Sequence, residues 1–379
     1  MILHHLELQN YRNYAELAVD FKAHKVIFLG NNAQGKTTLL EAINMLATGK
    51  SPTATKDADL VRWGTDQAII RSEVERELTE MRVDMLIRTS GRRAVRVDGI
   101  PQKRLADLFG KVLVVLFRSE DLQLVKGSPS ERRDYMDTML VQVSSTYYQQ
   151  LHDYNRVVTQ RNSLLRAIQD GAARADVLDT WSDQLVVLAL AVWRKRLALA
   201  EILAPMVQSW HERIAVGTGI AREQLTLRYH ASVPLSEVPA EWEDTMRRAL
   251  AELRPKEIAR GQTLVGPHRD DIELLINGRP AKVFGSQGQQ RTVVLALKLA
   301  ELDYVREMAG ESPILLLDDV LAELDVRRQN ALLDSIGDQV QTFVTSTHLN
   351  DFSAAWLEQA AIYQVEGGQL TLMKSQRDA

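Results

Sequence analysis

The clearest chemistry in this 379-residue chain lies in Gly30-Asn31-Asn32-Ala33-Gln34-Gly35-Lys36-Thr37. The stretch fits the spacing G-x-x-x-x-G-K-[ST]. It sits between an apolar run, Lys25 to Leu29, and a segment of helical spacing, Lys36 to Ala47. Glycines let the backbone curl so that several N–H groups face one phosphate, and the helix that follows adds its positive end. In that frame Lys36 neutralises the β- and γ-phosphates of a nucleotide, Thr37 ligates Mg2+, and Thr38 belongs to the same ATP-binding segment. A chance glycine turn before a helix is the bland alternative, and the correct flank on both sides argues against it.

A second group follows 282 positions after Lys36. Ile314-Leu315-Leu316-Leu317 is an apolar run that ends in Asp318-Asp319. A buried strand that delivers a carboxylate is how a phosphate-loop enzyme holds its magnesium, so Asp318 is a metal ligand and Asp319 a candidate to polarise the attacking water. Buried strands often end in Asp for simpler reasons, and the reading rests on the pairing with the glycine loop. A third group, Ser286-Gln287-Gly288-Gln289, opens a helix and could form a second anion site. An ordinary serine cap is the alternative there. One phosphate face is already served by Lys36, so a second site suits a nucleotide held by another subunit.

These groups resemble the parts of ABC-type ATPases. Ser286-Gln-Gly-Gln-Gln-Arg resembles their signature, Ala322-Glu323-Leu324-Asp325 their D-loop, and Thr345-Ser346-Thr347-His348 their histidine switch. Further segments narrow the resemblance to the RecF family of the SMC-like branch: Leu8 to Tyr14, Leu124 to Arg133, and Gly266-Pro267-His268-Arg269-Asp270-Asp271. The resemblance implies an ATPase head in which ATP and Mg2+ sit between a Walker A loop and the signature of a second, identical subunit. It assigns catalytic roles to Lys36, Asp319 and His348, a phosphate contact to Arg12, and coupling across the dimer to Asp325. It also implies gapped or junction DNA as ligand, RecR and RecO as partners, RecA loading and SOS induction as outcome, and a cytoplasmic location. Asp319 departs from the usual ABC glutamate, and its shorter side chain implies slow turnover. Ser119 stands where many relatives carry Pro. No glutamine is assigned to the Q-loop, although Gln123 is nearby.

DNA contacts are sought in local charge. From Arg88 to Arg104 six basic residues, Arg92, Arg93 and Arg96 among them, face one acid, Asp98. Lys56 and Arg62 are further candidates. A charged strand edge is the competing explanation. No base-reading motif and no aromatic interleaving appear, so backbone contacts with little sequence preference are expected.

The elements that must bring these groups together alternate in character. Strand patterns and one helix fill the chain to about residue 128. Long helical patterns dominate 129–260, broken near Gly171, and the mixed pattern returns over 261–379. The expected fold is therefore α/β, an ABC-type head split by a mostly helical insertion that reads as an antiparallel arm. Composition agrees with a folded, soluble chain, with 45% apolar and 25% charged residues. With 46 basic and 50 acidic side chains the formal charge is −4, which excludes a uniformly basic nucleic-acid coat. The absence of cysteine removes disulfides, thiolate metal sites and thiol nucleophiles. The longest apolar run, about Leu185 to Trp193, is too short to span a bilayer, and the first residues, without a basic flank followed by an apolar core, are not expected to act as a secretory signal. A transport motor with the same ATP chemistry is the alternative function. It would need a surface that grips a membrane subunit. A scaffold without turnover is opposed by Lys36, Thr37, Asp318 and Asp319.

Overall fold

The computed structural model describes residues 1–77, 79–215 and 223–375. In chain order, β1 (Ile2–Tyr11), β2 (Tyr14–Asp20) and β3 (Lys25–Leu29) lead into α1 (Lys36–Thr48). Four strands follow, β4 (Gln67–Arg76), β5 (Thr79–Arg88), β6 (Ala94–Val97) and β7 (Ile100–Pro101), and then β8 (Val114–Arg118). The middle holds α2 (Gln123–Lys126), α3 (Pro129–Val143), α4 (Ser145–Gln169), α5 (Leu178–Ala215), β9 (Leu225–His230), α6 (Trp242–Arg260), β10 (Asp271–Ile276), β11 (Arg279–Pro280) and α7 (Ala281–Phe284). The last stretch runs α8 (Gln287–Ala309), β12 (Ile314–Asp318), α9 (Val326–Ser335), β13 (Thr342–Ser346), α10 (Ala354–Gln359), β14 (Ala360–Glu366) and β15 (Gln369–Lys374). Among the described residues no helix is long and apolar enough to cross a membrane.

Two compact units emerge. The first combines Met1–Leu122 with the chain from Gln287 onward and a short stretch beginning at Ser209. It holds two six-stranded sheets. One, ordered β15-β14-β3-β13-β12-β8, is parallel except for β15. Every residue of β12 and β13 is buried, as expected for central parallel strands covered on both faces. Phe21 packs edge-on against Phe343 at 4.9 Å and sits 6.1 Å from Phe28, which fixes the aromatic end of this core. The other sheet, β2-β1-β4-β5-β6-β7, is antiparallel, and its strands β4 and β5 bury alternate residues.

The second unit spans Gln123–Gln208 and Glu223–Ser286. Gly171 interrupts the long helices between α4 and α5, as the sequence suggests. One feature differs from the expected division. The three-stranded sheet β11-β10-β9 belongs to this unit, and with it residues 261–286, which the sequence reading placed in the head. The reason is pairing: β10 aligns with β9 from Asp271↔His230 to Ile276↔Leu225, so the returning strand stays with its partner.

The Gly266–Asp271 segment is the polar hub of this unit. The Asp270 carboxylate accepts from Trp193 Nε1 at 2.6 Å, from Tyr229 Oη, and from Ser232 N at 2.7 Å. Arg132 pairs with Asp271 at 2.6 Å, and Arg196 donates to Pro267 O at 2.7 Å. His268 Nε2 lies 3.2 Å from Thr263 O, which can only accept, so Nε2 carries the proton and Nδ1 accepts from Tyr154 Oη at 2.6 Å. Burial, with nearby Arg269, Arg133 and Arg196, pushes the His268 pKa down to about 4. Because the folded value lies below the unfolded one, this stabilisation is complete above about pH 6.5 and is lost as the pH falls toward 4. Urea unfolding should therefore show the wild type losing about 2 kcal/mol more than His268→Gln between pH 8 and pH 5. Parallel pH profiles for the two proteins would disprove this role.

Candidate functional site

The glycine loop leaves the end of β3 and enters α1, as its flanks require. Gly35 holds φ at 114°, a conformation open to glycine, and its backbone approaches the side chains of Asn13 and Tyr14. Lys36 is buried and its Nζ donates to Gly30 O at 2.7 Å and Asn31 O at 3.1 Å. The ammonium thus lies folded over its own loop, where phosphate oxygens would be its natural acceptors. Gln34 ties the loop to its surroundings. Its carbonyl accepts from Asn13 Nδ2 at 3.1 Å and Gly368 N at 3.2 Å, and its side chain from Gly367 N at 2.8 Å.

The distant Asp318 and Thr37 meet. Thr37 Oγ1 donates to Asp318 Oδ1 at 3.0 Å, and Thr345 Oγ1, on neighbouring β13, donates to the same oxygen at 2.9 Å. Burial raises the Asp318 pKa, opposed by those two hydroxyls and reinforced by the Asp319 and Glu120 charges. Asp319 turns away from the strand at φ 51°, a left-handed conformation that Asp tolerates better than most residues, and its N–H donates to Thr345 Oγ1 at 2.8 Å. Gly30 N donates to Ser346 O at 3.2 Å, which binds the loop to the end of β13. His348 follows directly, exposed, with Nε2 3.0 Å from Thr347 Oγ1. The oxygen donors of Thr37 and Asp318, converging beside a phosphate loop, suit a hard divalent cation such as Mg2+.

Other predicted residues have protein partners of their own. Arg12 reaches α1 and forms a two-point pair with Glu41, at 2.5 and 2.7 Å, while Nη2 also donates to Thr53 at 2.7 Å. Burial pushes Glu41 up, yet bonds from Arg12, Ser51 and Thr53 outweigh it and hold the carboxyl below its usual range. Arg12 is therefore anchored to the helix behind the loop. At the signature, Gly288 O accepts from Arg328 Nη2 at 3.2 Å, and Arg328 also pairs with Asp325, joining the signature helix to the D-loop. Among the basic candidates, Arg92, Arg96 and Lys56 are exposed. Arg93 is instead paired with Asp57 through Nε at 2.8 Å and Nη2 at 2.5 Å and donates to Gly49 O. Arg62 donates to Asn13 O at 2.7 Å. Sequence reasoning missed Thr345, Glu41 and Arg328 as participants. Thr345 stood inside the quoted Thr-Ser-Thr-His motif, whereas nothing local marks the other two.

Comparison with known proteins decides the family. The RecF/RecN/SMC N terminal domain profile matches residues 2–371. A DNA replication and repair protein RecF from Synechococcus sp. (strain JA-2-3B'a(2-13)) is 46% identical over 376 residues, covering 98% of this chain and 97% of the relative. The chain belongs to the RecF family. The solved structure described as the recombination mediator protein RecF-ATPrS in the RecFOR pathway superposes with TM-score 0.90 at 29% identity, covering 98% of both chains. That of RecF-ATP gives 0.89 at 30% identity, covering 98% of this chain and 97% of that one. The fold is thus that of an SMC-like ABC-type ATPase head with a helical insertion.

Proposed function

We propose that this protein is an ATP-switched DNA-repair clamp whose two copies close over a pair of nucleotides. The observation that carries the reading is the meeting of Thr37, Asp318, Thr345 and Asp319 beside the Lys36 loop, from segments far apart in the chain. Lys36 and the loop N–H groups bind the β- and γ-phosphates. Thr37 and Asp318 hold Mg2+, which when bound neutralises phosphate charge. Asp319 orients and deprotonates the attacking water, and His348 holds the γ-phosphate end of the site. Arg12, through Glu41, steadies α1 and with it the loop.

The signature acts in trans. Helix α8 packs on β8 and the turn after it, and β8 stands three strands from β3 in the sheet order, roughly 14 Å across. This favours Ser286 to Gln289 serving the nucleotide of the second copy, with Asp325 and Arg328 linking the two sites. Gapped or junction DNA stabilises the closed dimer, and RecR and RecO act with it to load RecA in the cytoplasm. These last assignments are supported by membership of the RecF family.

Ser286→Arg tests the arrangement. The variant should bind ATP within a few-fold of wild type, because its own Walker loop is untouched, yet remain monomeric with ATP. Normal ATP-dependent dimerisation of Ser286→Arg in sedimentation velocity would remove the trans site.

A further inference from the structure

Trp63 is 97% exposed, although an indole is among the most costly side chains to leave in water. Its position is imposed by the backbone. Arg62-Trp63-Gly64-Thr65 is a four-residue turn closed by Thr65 N to Arg62 O at 3.1 Å, with Gly64 at φ 87° and Trp63 at its tip. A residue with a side chain would be strained at Gly64, so the turn that presents the indole is specified. Among the described residues no ring packs on Trp63. The indole therefore contributes nothing to the core, and both its faces are open.

The surroundings point to the ligand. The turn leads into β4, whose first residue Gln67 pairs with Arg88, the last of β5, and Thr89 N donates to Asp66 O at 3.1 Å. Trp63 thus lies just before the end of the sheet from which the loop carrying exposed Arg92 emerges, and exposed Lys56 precedes it in the same connecting segment. Asp57 in this region is neutralised by Arg93, while Asp59 and Asp66 remain as local acids. The turn is also tied to the nucleotide loop: Arg62 donates to Asn13 O at 2.7 Å and Asn13 to Gln34 O at 3.1 Å.

We infer that Trp63 is a stacking residue for an unpaired base of single-stranded nucleic acid at a gap or junction. The inference rests on the DNA-binding reading above and adds to it a residue and a mode of contact. An open aromatic face beside cationic side chains is the combination that holds single strands, with the charges on the backbone and the ring on a base. A fully paired duplex offers no free base to this ring.

Fluorescence anisotropy of the full-length protein with ATP and Mg2+ at low salt tests the assignment. The probes are a duplex with a single-stranded thymidine gap and a blunt duplex of the same length. Trp63→Ala should weaken binding of the gapped probe by roughly 5- to 100-fold and leave the blunt duplex unchanged, and Trp63→Phe should retain most of the gapped affinity. Unchanged binding of the gapped probe by Trp63→Ala would overturn the inference while leaving the DNA reading intact. Equal losses on both probes would also overturn it, since stacking on an unpaired base cannot produce them. If the wild type binds neither probe, the DNA reading itself falls.

Discussion

Lys36→Met should lower ATP affinity and turnover by about 10²–10³-fold and abolish any nucleotide-dependent change in mass. Lys36 is buried with its ammonium on two carbonyls of its own loop, so its charge is positioned before a phosphate arrives. Met fills nearly the same volume without the charge, and the packing of α1 against the sheet is retained. The loss is therefore confined to the electrostatic contribution, which is large in a site of this burial because little water screens it. Fluorescent ATP-analogue titration and steady-state phosphate release measure the two effects, with circular dichroism to confirm the fold. Wild-type affinity in Lys36→Met would mean that the loop is a structural turn.

Asp319→Asn should separate binding from hydrolysis. Asn keeps the shape of the side chain and tolerates the left-handed backbone at φ 51°, so the turn after β12 is preserved. What is lost is the carboxylate base, worth about 10²–10⁴ in rate. ATP should still bind, and the closed dimer should become long-lived, visible as an ATP-dependent species that persists through gel filtration. Turnover within a few-fold of wild type would remove Asp319 from the chemistry. The neighbouring Asp318 gives the contrast: it accepts from both Thr37 and Thr345, so Asp318→Asn should impair metal-dependent nucleotide binding as well as hydrolysis.

Much of this site was legible before the fold. The glycine loop needs a strand before it and a helix after it, and the apolar run ending at Asp318 suits a strand covered on both faces. Those local patterns specify elements and the chemistry at their ends, and the nucleotide requires that they converge. What local pattern does not carry is the choice of partner. The sheet of the second unit depends on β9 finding β10 across α6, so residues 261–286 group with the insertion although their composition matches the head. Arg12 and Arg93 illustrate the same limit for side chains. The resemblance assigns Arg12 to a nucleotide phosphate and local charge marks Arg93 for DNA, and each has a carboxylate waiting on another element, Glu41 and Asp57. Trp63 is the converse, an apolar residue in a short segment that periodicity cannot assign to core or surface.

The central claim is that triphosphate joins two copies through the Walker loop of one and the signature of the other. Multi-angle light scattering of the full-length protein, with ATP or with ADP, measures this most directly. The account predicts a mass near the single-chain 42.7 kDa with ADP and about twice that with ATP and Mg2+. A single-chain mass under both conditions, in protein shown to bind ATP, would contradict it.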